Sequence, residues 1–285
     1  MSRVAVVTDS AADLDPDRAA ALGISVVPLI VSFGSDSYRS GVELTTEAFW
    51  ARMTAPDAPF PKTAAASPGT YKEAFEACFA GRADAIVCVT VGAALSATHK
   101  SATLAAESLP DREIHVVDSK NASMGQGIMA ILATELAAQG VPADAIARTL
   151  QIRTDDIETV VVLDTLEYLR KGGRISGPQA AIGTILSVKP IIAVKDGVVE
   201  TRDRIRTRSK ARLRVVEYLT AAPIERMAVL HTISPDVESF REELLGRIPG
   251  GIDPAQVSIE LVGPTVGAHL GPGALGGSVL RKRPA

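Results

Sequence analysis

Short runs of β-branched residues alternate along this chain with longer stretches rich in alanine and leucine, and this alternation strongly limits the fold. The β-branched runs are typical of buried strands, and the stretches between them have helical periodicity. A strand, a helix and a further strand form the repeating unit of parallel sheets covered by helices. We therefore predict an α/β protein whose first half has strands at residues 4–7, 24–33, 85–91 and 114–117.

The predicted helices of the first half carry capping signals. Asp15 precedes Pro16, and Ser67 precedes Pro68, which are favoured residues at the N-cap and first helical positions. Two further helices are predicted at 96–108 and 124–138. We expect these helices to cover the parallel sheet of an N-terminal α/β domain, residues 1–157.

The second half has a less regular alternation. Asp196-Gly197 separates strand-like runs at 189–194 and 198–201, which predicts an antiparallel hairpin with a two-residue turn. The remaining predicted elements are a strand at 159–163, a helix at 209–221, a strand at 227–231 and a strand at 257–262. We expect a C-terminal α/β domain with a mixed sheet, residues 158–285.

Capping patterns predict three more helices in this half. Asp164 with Glu167, and Ser176 with Gln179, have the spacing of capping boxes on either side of Gly172-Gly173. Ser234 followed by Pro235 is predicted to begin a helix that reaches residue 247.

Composition excludes several classes of protein. The formal net charge is −3 and the pI is about 5.9, so the chain has no general attraction to nucleic acid or anionic membranes. No run of eighteen apolar residues is long enough to span a membrane, and the first residues do not resemble a secretory signal. The two cysteines, Cys78 and Cys88, match no metal-binding spacing. We expect a cytoplasmic protein with reduced cysteines and no bound metal.

A stretch rich in glycine and proline, residues 263–277, surrounds the single histidine His269. Glycine permits close approach of the backbone to a ligand, proline stiffens turns, and an imidazole donates, accepts or titrates near neutrality. Val266, Leu270 and Leu275 are interleaved in the stretch, which argues against a disordered tail. We predict a binding site around His269.

Two loops of the first half are further candidates. Residues 91–98 join a predicted strand to a helix start, where free backbone N–H groups attract anions, although an ordinary turn capped by Ser96 is the alternative. Thr63 precedes another helix, and its hydroxyl either reaches an anion or bonds to the local backbone. Asp9 and Asp118 end two other strands, where each lines the crevice or caps a helix.

A cluster of seven basic residues lies between positions 202 and 214. They are Arg202, Arg204, Arg206, Arg208, Lys210, Arg212 and Arg214. No aromatic residue is interleaved with them and the rest of the chain is acidic, which argues against nucleic-acid binding. A solvated surface is the structural explanation, and a docking surface for an acidic partner or a phosphate is the functional one.

Motifs of hydrolases and nucleotide-binding proteins are missing from the sequence. It has no nucleophile elbow, zinc-protease motif, Cys-x-x-Cys pair or P-loop. One alternative nevertheless stays open: a small-molecule enzyme acting on phosphorylated or carbonyl substrates, with His269 as general acid/base and Asp9 or Asp118 orienting it.

Several blocks, in their order and spacing, resemble the DegV family. They are residues 8–14, residues 118–119 with 123–127, residues 166–176, Lys189-Pro190 with Asp196-Gly197, and the tail that contains His269. The block Leu-Glu-Tyr-Leu-Arg-Lys-Gly-Gly-Arg-Ile-Ser at 166–176 is the most specific, and the resemblance extends over nearly the whole chain.

This resemblance implies a two-domain α/β protein that binds a long-chain fatty acid between its domains. Members of the FakB type present the acyl carboxylate to a separate fatty acid kinase of the dihydroxyacetone-kinase-like type, whose product enters phospholipid synthesis. Such a protein carries substrate, with no catalytic residues and no cofactor of its own. A transient contact with a membrane surface is compatible with that role.

The resemblance also implies where the ligand and the partner bind. The carboxylate site falls on Thr63, Ala64, Gly92, Ala93, Ser96 and His269, and contacts with the kinase or its phosphate fall on Arg170, Arg174 and Arg206. Family members usually have serines where this chain has Gly92 and Ala93. Because a hydrogen bond to a charged group is worth roughly 1.5–3 kcal/mol, we expect their loss to weaken carboxylate binding or to change the preferred head group.

Overall fold

The computed structural model describes residues 3–175 and 188–283. The helix predicted from Ser176 and Gln179 lies outside these residues. The strands are β1 (Val4–Asp9), β2 (Ile24–Val27), β3 (Ile30–Phe33), β4 (Asp36–Arg39), β5 (Lys62–Ala64), β6 (Ala85–Thr90), β7 (Glu113–Asp118), β8 (Ile157–Val162), β9 (Lys189–Lys195), β10 (Val198–Ile205), β11 (Ile224–His231), β12 (Val257–Leu261) and β13 (Leu275–Arg281).

Ten α-helices accompany these strands within the described ranges. They are α1 (Pro16–Ala21), α2 (Thr46–Met53), α3 (Pro68–Ala80), α4 (Thr98–Glu107), α5 (Met124–Ala138), α6 (Ala143–Arg153), α7 (Glu167–Lys171), α8 (Arg208–Leu219), α9 (Val237–Leu245) and α10 (Pro264–Leu270). Single 3₁₀ turns occur at Ser10–Ala12, Thr154–Asp156 and Pro254–Gln256. Asp15 and Ser67 cap α1 and α3, as predicted.

Three sheets organise the described residues, and they confirm the predicted α/β class. A parallel sheet has the order β2-β1-β6-β7, and a mixed sheet has the order β10-β9-β8-β13-β11-β12. The small antiparallel sheet β4-β3-β5 lies beside them. The hairpin turn at Asp196 and Gly197 forms as predicted, with φ values of 50° and 81°.

Helix α5 packs against both large sheets and is buried from Met124 to Ile131. Two glycines permit this close packing. A β-carbon at Gly125 would lie 2.7 Å from the Thr159 hydroxyl on β8, and one at Gly127 would lie 2.8 Å from the carbonyl oxygen of Ala12. Because α5 and α10 contact elements from both halves, the division into domains 1–157 and 158–285 stays a prediction.

The structure divides the predicted strand 24–33 in two. Pro28 lacks the N–H group that a central strand position requires, and the chain turns there from β2 in the parallel sheet to β3 in the small sheet. This turn has a functional consequence, because β3 pairs with β5 and so places Thr63 at the edge of the pocket described below.

Two predicted caps are wrong. Helix α7 begins after Leu166 and α9 begins after Asp236, and neither has a side-chain cap. The reason is Arg208, whose guanidinium bonds to the carboxylate of Asp164 at 3.3 Å and to the hydroxyl of Ser234 at 2.8 Å. Tertiary contacts therefore occupy the two side chains that the local pattern assigned to caps.

The glycine- and proline-rich stretch is an ordered part of the fold. It forms α10, which carries His269, and then enters β13 between β8 and β11. Its glycines admit neighbouring protein atoms: a β-carbon at Gly267 would lie 2.6 Å from the ring of Trp50, and one at Gly271 would overlap the ring of Tyr168. The expectation that these glycines accommodate a ligand is therefore corrected.

Candidate functional site

A mostly apolar pocket lies between the carboxyl ends of the parallel strands, α10 and the inner face of the mixed sheet. The space it encloses is about 840 Å³ when the open solvent at its mouth is included. Valine, leucine, isoleucine and alanine form most of the wall. The polar lining consists of five hydroxyl side chains, Arg174 and His269.

His269 contacts Thr63 across the pocket mouth, with 2.9 Å between the imidazole Nε2 and the threonine Oγ1. Helix α10 supplies the histidine and β5 the threonine. The imidazole lies against Gly172, where a β-carbon would be 2.8 Å from Cε1, so the absence of a side chain at Gly172 makes room for it. Its Nδ1 has no hydrogen-bond partner among the described residues.

Burial, with a smaller contribution from the charge on Arg174, lowers the pKa of His269 to about 4. A histidine in water titrates near 6.5, so the imidazole is neutral at pH 7 instead of poised near its midpoint. The expectation that it titrates near neutrality is corrected, because the neutral imidazole at pH 7 can act only as a hydrogen-bond donor or acceptor.

Arg174 supplies the positive charge of the pocket. Its Nη1 donates to the carbonyl oxygen of Gly172 at 2.6 Å, and its Nε donates to that of Leu95 at 3.2 Å. No carboxylate lies within ion-pair distance of its guanidinium in the part of the chain that the structure describes. Burial lowers the pKa of Arg174, as expected for a cation that has lost water without gaining a counter-ion. The pocket is therefore electrostatically suited to an anion.

The structure separates the six residues assigned to the carboxylate site. Thr63, Ala64, Ser96 and His269 line the pocket. The Ser96 hydroxyl accepts a hydrogen bond from the Thr98 N–H at 3.3 Å, but the N-cap residue of α4 is Ala97 and no side chain caps that helix, so the prediction that Ser96 caps it is wrong.

Gly92 and Ala93 are not part of the pocket lining. The Gly92 N–H donates to the carbonyl oxygen of Asn121 at 2.7 Å, and the Ala93 N–H donates to the Asp118 carboxylate at 3.0 Å. Both donors are thus used within the protein. A β-carbon at Gly92 would lie 3.2 Å from the backbone nitrogen of Asn121, so this turn packs closely around a glycine.

The other assigned arginines are on the surface. Arg170 on α7 and Arg206, between β10 and α8, are both exposed. Four members of the basic cluster bind acidic side chains: Arg202, Arg208, Arg212 and Arg214. The side chains of Arg204, Arg206 and Lys210 have no partner among the described residues, so the unpaired charge is concentrated around Arg206.

The enzyme alternative finds little support in these contacts. Asp9 accepts from the backbone N–H groups of Ala11 and Val91, and Asp118 accepts from those of Ala93 and Lys120. Neither carboxylate bonds to His269. The described ranges also hold no group of histidine, cysteine and acidic residues arranged to bind a metal, and none of their helices has the length and apolarity needed to cross a membrane.

Comparison with known proteins identifies the chain. The model of the family described as "Uncharacterised protein, DegV family" matches residues 3–282. The chain belongs to the DegV family.

Individual DegV proteins are similar to this chain over nearly their full lengths. A DegV domain-containing protein of Streptomyces coelicolor is 35% identical over 282 residues, which are 97% of this chain and 98% of that protein. The structure of a fatty-acid-binding DegV family protein from Thermus thermophilus is 32% identical, has a TM-score of 0.88 and covers 98% of this chain and 100% of its own. A stearic acid-binding protein from Eubacterium ventriosum is 26% identical, with a TM-score of 0.86 and 99% coverage of both chains.

Three polar residues of the pocket lining were not assigned from the sequence of this DegV protein. They are Ser123, Thr159 and Thr265. Ser123 belongs to the block 123–127 that contributed to the family resemblance, so a signal was present there. Thr159 and Thr265 have no such signal, because each lies in an otherwise apolar or glycine-rich run.

Proposed function

We propose that this DegV protein binds a long-chain fatty acid, with its carboxylate beside Arg174, Thr63, Ser96 and His269 and its acyl chain along the apolar wall. The observation that carries this proposal is Arg174, a partly buried cation with only carbonyl partners at the mouth of an apolar pocket. A carboxylate would provide the missing counter-charge. The fatty acids bound by the Thermus and Eubacterium proteins support the same ligand class.

Burial of the acyl chain is the larger energetic contribution. At about 0.8 kcal/mol per buried CH₂, roughly fifteen methylenes offer about 12 kcal/mol before the costs of association and ordering. One hydrogen bond to the carboxylate adds about 1.5–3 kcal/mol. The serines that are replaced at Gly92 and Ala93 are therefore dispensable for binding as such.

Native mass spectrometry of the purified full-length protein tests the proposal. We expect a co-purifying long-chain acid, which delipidation removes and added stearate replaces at one molecule per chain. A protein that carries no acid after purification and takes up neither stearate nor a monounsaturated analogue would contradict it.

The second part of the proposal is that the protein is a carrier in the cytoplasm, without a reaction of its own. In this role it presents the carboxylate to a fatty acid kinase of the dihydroxyacetone-kinase-like type. The unpaired charges around Arg206, together with the exposed Arg170, suit the acidic surface or phosphate of such a partner.

We expect Arg206→Glu to lower the rate of acyl-phosphate formation at least about tenfold in a reconstituted kinase assay, because like charges replace opposite charges at the contact. Stearate affinity, measured in parallel, should not change. Arg82→Glu is the matched control. Arg82 is exposed and precedes β6, so it lies at the amino end of the parallel strands, whereas the pocket lies at their carboxyl ends. Equal loss of lipid binding and phosphorylation in Arg206→Glu would exclude a docking role.

A further inference from the structure

The hydroxyl of Ser123 is buried in the pocket without a hydrogen-bond partner. Ser123 is 2% exposed, lines the pocket, and its Oγ bonds to no described residue. Buried polar atoms in proteins are nearly always paired, and an unpaired one calls for an explanation. In a binding pocket, the missing partner is often a group of the ligand.

The position of this hydroxyl is fixed by the backbone around it. Ser123 is the N-cap residue of α5, but its φ of 54° and ψ of −145° are not those of a normal cap, and its side chain makes no capping bond. Its N–H donates to the Ala11 carbonyl oxygen at 2.7 Å, and its own carbonyl oxygen accepts from the N–H groups of Gln126 and Gly127 at 3.0 Å. The backbone therefore holds the serine in place while its hydroxyl stays unused.

The neighbouring polar groups do not satisfy Ser123. Burial raises the pKa of the neighbouring Asp13 to about 7, and the Ser123 hydroxyl lies close enough to oppose that rise, yet neither Ser123 Oγ nor Asp13 Oδ2 has a hydrogen-bond partner among the described residues. Thr159, the other hydroxyl of this part of the pocket, already bonds to Asn121 at 2.8 Å and to Ser278 at 2.7 Å. Of these two pocket hydroxyls, the one of Ser123 therefore lacks a partner among the described residues.

This polar position is displaced from the head-group residues. Thr159 and Val161 share one face of β8, about 7 Å apart, and the chain continues from the Val161 end to α7 and Arg174. Ser123 lies at the Thr159 end, because Asn121 and Gly125 on either side of it contact Thr159. If Arg174 binds the carboxylate, the acyl chain therefore occupies the part of the pocket beside Thr159 and Ser123.

We propose that Ser123 binds an oxygen carried by the acyl chain itself, so that the preferred ligands are long-chain fatty acids with a hydroxyl group along the chain. This inference rests on the proposed function and specifies its substrate class. A chain hydroxyl both donates and accepts, and it would pair with the serine, whose hydroxyl, unlike that of Thr159, has no partner among the described residues. An unsubstituted chain leaves the serine unpaired.

Competition binding on the delipidated full-length protein tests this assignment. The probes are stearate and a series of hydroxystearates with the hydroxyl at carbons from near the carboxylate to near the methyl end. We expect at least one isomer to bind about tenfold more tightly than stearate. Ser123→Ala should abolish that preference and leave stearate affinity equal or higher, because it removes an unpaired hydroxyl.

Ser123→Gly provides a second variant, since glycine accepts the positive φ if alanine does not fold well there. Thr134→Ala, on α5 but outside the pocket lining, is the control for removal of a hydroxyl that is already paired, and it should keep the preference. If no isomer exceeds stearate, or if the preference persists in both Ser123 variants, the hydroxyl meets only water and the inference is overturned. Failure of stearate itself to bind would instead contradict the proposed function.

Discussion

Replacement of Gly276 by alanine is expected to destabilise the protein by about 3 kcal/mol or more, or to prevent its accumulation as folded protein. Gly276 is in β13, at the centre of the mixed sheet, where it pairs with Val161 of β8. An added β-carbon would overlap the carbonyl oxygen of Val160 and lie 2.6 Å from the Cα of Val161. Both are backbone atoms of a strand held on its other side by β9, so neither moves away without breaking sheet hydrogen bonds.

Urea unfolding measures this effect, and Gly246→Ala is its control. The nearest atoms to a β-carbon at Gly246 are 3.6 and 3.8 Å away, and its φ is −69°, so alanine fits there with a change within about 0.5 kcal/mol. If the free energy of unfolding of Gly276→Ala is within about 1 kcal/mol of the wild-type value, β8 and β13 are less closely packed than the structure indicates.

Arg174→Ala is expected to reduce stearate affinity by about ten- to a hundredfold, which corresponds to the loss of one or two charge-assisted hydrogen bonds. Among the described residues that line the pocket, the guanidinium is the positive group available to a carboxylate, because His269 has a pKa of about 4 and is neutral at pH 7. Lysine restores the charge but not the planar donor geometry, so Arg174→Lys should recover only part of the affinity.

Two comparisons isolate the carboxylate contribution. Wild-type protein should prefer stearate to its methyl ester, and Arg174→Ala should reduce that preference, because the arginine acts on the charge of the head group. Arg170→Ala, in the same segment but exposed, should bind stearate as the wild type does. An unchanged ratio of acid to ester affinity in Arg174→Ala would place the carboxylate elsewhere in the pocket.

The sequence predicted the elements of the fold well where local signals agree with burial. The buried helix α5 has the predicted bounds, and the strands of the parallel sheet follow the β-branched runs. The predictions are wrong where contacts with residues far away in the chain determine the local structure. Arg208 takes the oxygens of Asp164 and Ser234, and a glycine-rich run becomes a central strand because its neighbours leave no room for side chains.

The candidate site was only partly predictable for the same reason. Thr63 and His269 were each singled out from local composition, and the fold brings them within hydrogen-bond distance although 206 positions separate them. Arg174 was predicted to contact a partner, which stays a prediction, and nothing in the sequence indicated that its side chain lines the pocket. Gly92 and Ala93 were expected in the pocket, but their N–H groups are used by Asn121 and Asp118.

By itself, the sequence determined the α/β class, most of the strands and helices, and the resemblance to the DegV family, because these follow from local periodicity, turn residues and the order of short blocks. Only the tertiary structure decided which polar groups are left unpaired in the pocket. The lone charge of Arg174 and the unused hydroxyl of Ser123 depend on contacts between residues far apart in the chain. Local patterns do not contain that information, and it is these unpaired groups that point to a ligand.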